Sequence, residues 1–157
     1  MVEAPRRGRS TCIDRAAVSQ AESKGHLEVI DRLECLQLLD GQGVGRIAGS
    51  VEGHPVVLPI NYVVFGEAVL VRARRGGALD RITCNTVVAF EIDGTDSIYH
   101  EGWSVLVVGR SAHVTDPAEL ARLRGLRLLP WAGEGRDLFI RIFLDEVTGR
   151  RIVHPEP

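Results

Sequence analysis

Gly102-Trp103-Ser104-Val105-Leu106-Val107-Val108-Gly109-Arg110 opens a long strand-like run, and its middle decides the fold. Val105-Leu106-Val107-Val108 is apolar at every position, whereas a strand with one solvated face alternates apolar and polar residues. Both faces of this strand must therefore be covered. One face belongs to an interior; the other needs a helix or a second subunit, and a second copy of the chain is the expected cover.

On the N-terminal side of this run, three segments joined by short glycine turns predict an antiparallel meander. Val44 to Val51 is followed by Glu52-Gly53, His54 to Val64 by Phe65-Gly66, and Ala68 to Arg74 by Arg75-Gly76-Gly77. Glycine supplies the positive φ that tight hairpins need. A short helix is expected from Ala78 to Cys84, a fourth strand over Val87 to Ile92, and a polar loop over 93 to 101. Beyond the central run, Asp116-Pro117-Ala118-Glu119 starts a helix reaching about Leu128, with Asp116 as cap and Pro117 at the first helical position. Leu138 to Leu144 reads as the sixth strand and Gly149 to Val153 as a last edge strand. A helix over Asp31 to Asp40, capped by Asp31 with Glu34 three residues on, precedes everything else. The pattern predicts a mostly β protein with short helices: a six-stranded antiparallel split β-barrel.

Composition bounds the function. The 157 residues carry 19 basic and 21 acidic side chains, a net charge of −2, which disfavours a nucleic-acid partner. Residues 1–26 are polar and arginine-bearing without apolar periodicity and predict a loose tail, leaving 27–157 as the folded domain. No apolar run reaches membrane-spanning length, and no apolar segment follows the N-terminal arginines as a secretory signal would require. Cys12, Cys35 and Cys84 are odd in number and widely spaced, which points to a reducing, cytoplasmic setting and away from a disulfide framework. Lys24 is the only lysine, so no core lysine exists to form a Schiff base with pyridoxal phosphate. The five histidines never fall at i, i+3 or i+4, and no metal site is expected. The glycines at 41, 43, 45 and 49 have Arg46 where a dinucleotide fingerprint needs its third glycine, and they follow a helix instead of a strand.

Two sets of residues could carry chemistry. Alternation puts Arg72 and Arg74 on one face and Val71 and Ala73 on the other, with Arg75 in the turn before Gly76-Gly77. Arginines at such a turn suit a phosphate, and they also suit a solvated strand end. Pro59 interrupts a strand because it cannot donate to a ladder, and Asn61, on the same face, offers an amide to a heterocycle's edge. Trp103 can stack on a planar ligand; Trp103 and Trp131 equally fit core or interface aromatics.

Taken in order, several segments resemble the FMN-binding split-barrel family related to pyridoxamine 5′-phosphate oxidase, in its actinobacterial form. They are Val44-Gly45-Arg46-Ile47, Pro59-Ile60-Asn61-Tyr62, Val69 to Arg72, Val88 to Asp93, Gly102 to Arg110, Thr115-Asp116-Pro117, Pro130-Trp131 and Thr148 to Ile152. The resemblance spans about Leu33 to Ile152 and implies a homodimer with a flavin between subunits. It implies an FMN-dependent oxidoreductase with Pro59, Ile60, Asn61, Trp103 and Ser104 near the ring and Arg72, Arg74 and Arg75 near the phosphate. No residue stands out as catalytic acid or base, and the substrate is unknown. The family's customary phosphate contacts, a Thr or Ser and then a Lys, fall on Ala73, Gly77 and Ala78. An opposite charge at 4 Å is worth about 4 kcal/mol at a surface-like dielectric, so the arginines must stand in for that clamp. Two alternatives follow from its loss: a deazaflavin-dependent reductase, whose longer acidic cofactor suits arginines, or a non-catalytic ligand-binding or scaffold dimer with no cofactor.

Overall fold

The computed structural model describes residues 25–41, 43–96, 101–126, 135 and 137–153. All but the last two residues of the tail expected over 1–26, the loop with Pro130 and Trp131, and the last turn expected for the third helix lie outside these residues. The elements in chain order are β1 (His26–Ile30), α1 (Arg32–Gly41), β2 (Val44–Val51), β3 (His54–Val64), β4 (Ala68–Ala73), α2 (Ala78–Ile82), β5 (Val87–Asp96), β6 (Glu101–His113), α3 (Pro117–Arg124), β7 (Leu138–Phe143) and β8 (Glu146–Val153).

Every strand pairing is antiparallel, in the order β1-β8-β6-β5-β2-β3-β4-β7, and a further β6–β7 ladder closes six of the strands into a barrel. Two strands turn the corners. Residues 54 to 61 of β3 pair with β2, and Tyr62, Val63 and Val64 pair with β4. Likewise β6 pairs with β8 over 102 to 108 and with β7 over 111 to 113. Gly109 lies at that second corner, where an added Cβ would stand 1.8 Å from the Phe143 carbonyl oxygen, so only glycine lets the two strands diverge.

The interior follows from alternation. Ile47, Phe90, Ile92, Val105, Val107, Ile140 and Ile142 are fully buried inside the barrel. Each such side chain contributes about 1.5–3 kcal/mol relative to leaving it in water. Tyr62 joins them, its ring edge-on to Phe90 at 4.8 Å and its hydroxyl donating to the Leu39 carbonyl at 2.6 Å. Burial holds that phenol far above its ordinary range. Helix α1 is capped as expected, the Glu34 N–H donating to Asp31 Oδ1 at 2.9 Å. The Glu34 side chain does not complete a capping box; it pairs with Arg151 on β8. Helix α2 plugs one end, where Ser111 Oγ lies 2.9 Å from the Thr83 carbonyl and 2.8 Å from that of Thr86.

Three sequence expectations change. β5 runs to Asp96 because the polar residues read as a loop continue a ladder with Glu101 to Ser104. β8 is longer than expected and is no edge strand, since it sits between β6 and β1. β1, a strand not expected, begins at His26, and its ladder with β8 runs from His26–Val153 to Ile30–Gly149.

Candidate functional site

The residues expected near a ligand fall into two groups, set by strand parity. Pro59 and Asn61 point out of the barrel and Ile60 points in. At Pro59, β3 pairs with β2 alone, opposite Arg46, and the β4 ladder begins only at Tyr62–Val71. Its missing N–H therefore falls on a stretch of strand with one neighbour. One place beyond that first pair, Asn61 is level with Arg72 in register count; two places further, Pro59 is level with Arg74. The four share the outer face at the β3 corner. Asn61 Nδ2 donates to the Gly43 carbonyl at 3.3 Å, tying the start of β2 to this corner. The Arg72 guanidinium lies 5.2 Å from the ring centroid of Phe139, its register partner on β7.

The turn after β4 presents the other two arginines. The Gly77 N–H donates to the Arg74 carbonyl at 3.0 Å, and Gly76 has φ +74°, the backbone of a four-residue turn with glycine at its third place. Arg74 and Arg75 are exposed, and among the described residues neither side chain makes a hydrogen bond or an ion pair. Asp80 holds the turn from beneath: the Gly76 N–H donates to its Oδ2 at 2.7 Å. Its Oδ1 is 2.9 Å from Nε2 of His113, at the end of β6. That nitrogen is enclosed and the contact is off hydrogen-bond geometry, so it acts as an ion pair when the imidazole carries a proton. Ala73 is fully buried, and Gly77 and Ala78 form the junction into α2.

The second group lies across the sheet. Trp103 and Ser104 line an open cleft of about 330 Å³ with Asp93, Arg150, Arg151 and residues of β1 and β8. Trp103 shares the inward parity of Val105, and its indole covers Gly94, the register partner on β5. Ser104 points outward, between Asp93 on β5 and Arg150 on β8. The Arg150 side chain is exposed and, among the described residues, has no hydrogen bond or ion pair, whereas that of its neighbour Arg151 is bound to Glu34. Arg150 was not singled out from sequence, although its alternation with Arg151 and Gly149 carried the signal.

Ser104 on β6 and Asn61 on β3 therefore share one sheet face but stand three strand spacings apart, roughly 14 Å. The same face carries several exposed apolar side chains. Leu106, the outward residue of the all-apolar run, is 39% exposed, and Val29 (86%), Leu27 (66%), Val57 and Val87 (59% each) point the same way. A charged cluster on this face is internally matched: Arg46 bonds Glu91 at 3.1 Å and also Asp93, and these contacts, Asp93 first, raise the pKa of the guanidinium above its ordinary value. Among the described residues no three His, Cys, Asp or Glu side chains gather around one metal position.

The family model described as pyridoxamine 5′-phosphate oxidase matches residues 31–151. The chain belongs to the pyridoxamine 5′-phosphate oxidase-like family. Proteins similar to it include the uncharacterized protein Rv0080 of Mycobacterium tuberculosis, 33% identical over 129 residues, 79% of this chain and 84% of that protein. Among solved structures, the FAD binding protein from Mycobacterium smegmatis is 35% identical with a TM-score of 0.68, over 79% of this chain and 98% of that one. An FAD-binding protein from Mesorhizobium loti, at 23% identity and a TM-score of 0.66 over 80% of this chain and 97% of that one, shares the fold. The pyridoxamine 5′-phosphate oxidase-like barrel that the resemblance of segments such as Gly102 to Arg110 implies is thus the fold of this chain. Among the described residues no helix is long and apolar enough to cross a membrane.

Proposed function

We propose that this chain is a homodimeric flavin-dependent oxidoreductase whose cofactor lies between subunits. One protomer's Pro59, Asn61, Arg72, Arg74 and Arg75 would meet the partner's Trp103–Ser104 cleft. The carrying observation is the separation of the two groups on one apolar sheet face. A two-fold pairing through that face covers Leu106, Val57 and Val29 and brings unlike groups of opposite subunits together, as an isologous interface does.

The residues present fit a flavin nucleotide. A cleft beside an indole accepts a planar ring, and two unpaired arginines at an exposed turn accept phosphate. FAD suits them better than FMN. FMN ends in a phosphate monoester carrying close to two charges, the group the absent Thr and Lys contacts would serve, and Ala73, Gly77 and Ala78 offer nothing in their place. FAD spreads its charge over two phosphates and adds an adenine. The similarity to an FAD binding protein of M. smegmatis supports the same choice. A bound flavin supplies hydride or electron transfer, while this chain's residues orient the ring, hold the phosphates and exclude water.

Purification without added cofactor, a visible spectrum, a mass measurement in solution and titrations with FAD, FMN and a deazaflavin test the proposal. A yellow dimer holding two flavins, bleached by dithionite and tightest for FAD, is expected. Tightest binding of the deazaflavin would shift the assignment to a deazaflavin reductase. A colourless protein whose melting none of the three raises would make the chain a non-catalytic binding or scaffold protein.

A further inference from the structure

We propose that Asp80, backed by His113, is a positioning residue that holds the turn Arg74–Gly77 in the shape that receives the flavin's phosphates; this rests on the assignment of Arg74 and Arg75 to that role. The turn has little else to fix it. The Arg74 and Arg75 side chains are exposed and engage no other group among the described residues, and the Gly77 to Arg74 bond closes the turn only upon itself. Gly76, at φ +74°, is the residue with the widest conformational freedom. The Asp80 carboxylate removes that freedom by accepting the Gly76 N–H at 2.7 Å. Such a bond to an ionised acceptor is stronger than one between neutral groups.

His113 meets the carboxylate from the other side. It is the last residue of β6 and is paired with Ile140 of β7, so its ring is carried by the closed barrel and not by the loop. Its Nε2 stands 2.9 Å from Asp80 Oδ1, on the oxygen that the turn does not use. The Asp80 side chain is 14% exposed, so its position is set by these two contacts more than by water. A chain of contacts then runs from the barrel wall through Asp80 to the peptide between Arg75 and Gly76. Neither residue needs to touch the cofactor.

Flavins with and without phosphate separate this role from a general contribution to stability. Affinities of FAD, FMN and riboflavin would be measured for the full-length dimer and for Asp80→Ala, Asp80→Asn and His113→Ala, with melting temperatures alongside. Asp80→Ala should weaken FAD and FMN by about tenfold or more while moving riboflavin less than about twofold, the loss expected for one hydrogen bond to a charged group. Asp80→Asn keeps an oxygen for the Gly76 N–H and should recover most of the nucleotide affinity. His113→Ala should shift the same selectivity in the same direction by a smaller factor. Equal loss of all three flavins, or nucleotide affinity unchanged in Asp80→Ala, would overturn the role. Should Asp80→Ala not fold, His113→Ala decides the matter by the same selectivity. A wild-type protein that binds riboflavin and FAD equally would refute the phosphate turn itself, a failure visible before any variant is made.

Discussion

The indole of Trp103 lies directly against Gly94 on the neighbouring strand: a Cβ added at Gly94 would stand 2.6 Å from Nε1, 2.7 Å from Cε2 and 2.8 Å from Cζ2. Glycine on β5 is thus what lets the ring lie flat at the mouth of the cleft that Ser104, Asp93 and Arg150 share. Valine at 94 must push the ring away. In a Trp131→Phe background, where Trp103 is the one remaining tryptophan, Gly94→Val should shift the emission maximum and lower stability by about 1–3 kcal/mol in urea, the usual cost of overpacking. Unchanged emission would mean that the ring does not rest on Gly94.

A second prediction concerns acid. Arg110 grips Asp145 with two guanidinium bonds, at 3.0 and 3.1 Å, and a backbone N–H at 3.0 Å. These hold the Asp145 carboxyl below its ordinary 3.8, the guanidinium bonds first. Its proton is released more readily in the folded chain than in the unfolded one. The pair therefore stabilises the fold above about pH 4, and that stabilisation fades as pH falls through the lowered folded value. Both groups are exposed, so the effect is small. Asp145→Asn should lower the melting temperature slightly at pH 7 and bring it level with wild type near pH 2; a constant gap across that range would contradict the pair's role.

The apolar face makes a third prediction. Leu106→Arg and Val57→Arg place charge on opposite parts of the outer sheet without touching the barrel interior, where Val105, Val107 and Leu58 lie. Each variant should keep the wild-type circular dichroism, elute as a monomer and lose flavin. A folded variant that remains a dimer with full flavin content would remove this face from the interface.

Much of the fold was legible because it rests on local rules. The hairpin between β2 and β3 has positive φ at Glu52 and Gly53, the turn that the Glu-Gly pair predicted, and both strands begin and end where the sequence put them. Asp116 caps α3 through the Glu119 N–H at 2.7 Å, as its spacing from Pro117 implied. What was missed depends on partners far along the chain. Leu27 and Val29 form a strand only because β8 offers a ladder, and nothing in His26-Leu27-Glu28-Val29-Ile30 alone distinguishes that from a tail. Asp93 to Asp96 extend β5 for the same reason. Among the site residues, alternation correctly separated Arg72 from the buried Val71 and Ala73, but the ring of Phe139 beneath it and the Asp80–His113 brace under the turn are contacts between distant segments.

The central claim, that each flavin is held by two subunits, is tested most directly by mixing two inactive variants. Arg74→Ala/Arg75→Ala damages one half of the site, and Trp103→Ala/Ser104→Ala damages the other. Each variant alone should form a dimer that binds no flavin. Unfolded and refolded together, the mixed dimers should each regain one intact site and bind one flavin, measured from absorbance at a known protein concentration. Mixed dimers as empty as their parents would contradict a site shared between subunits.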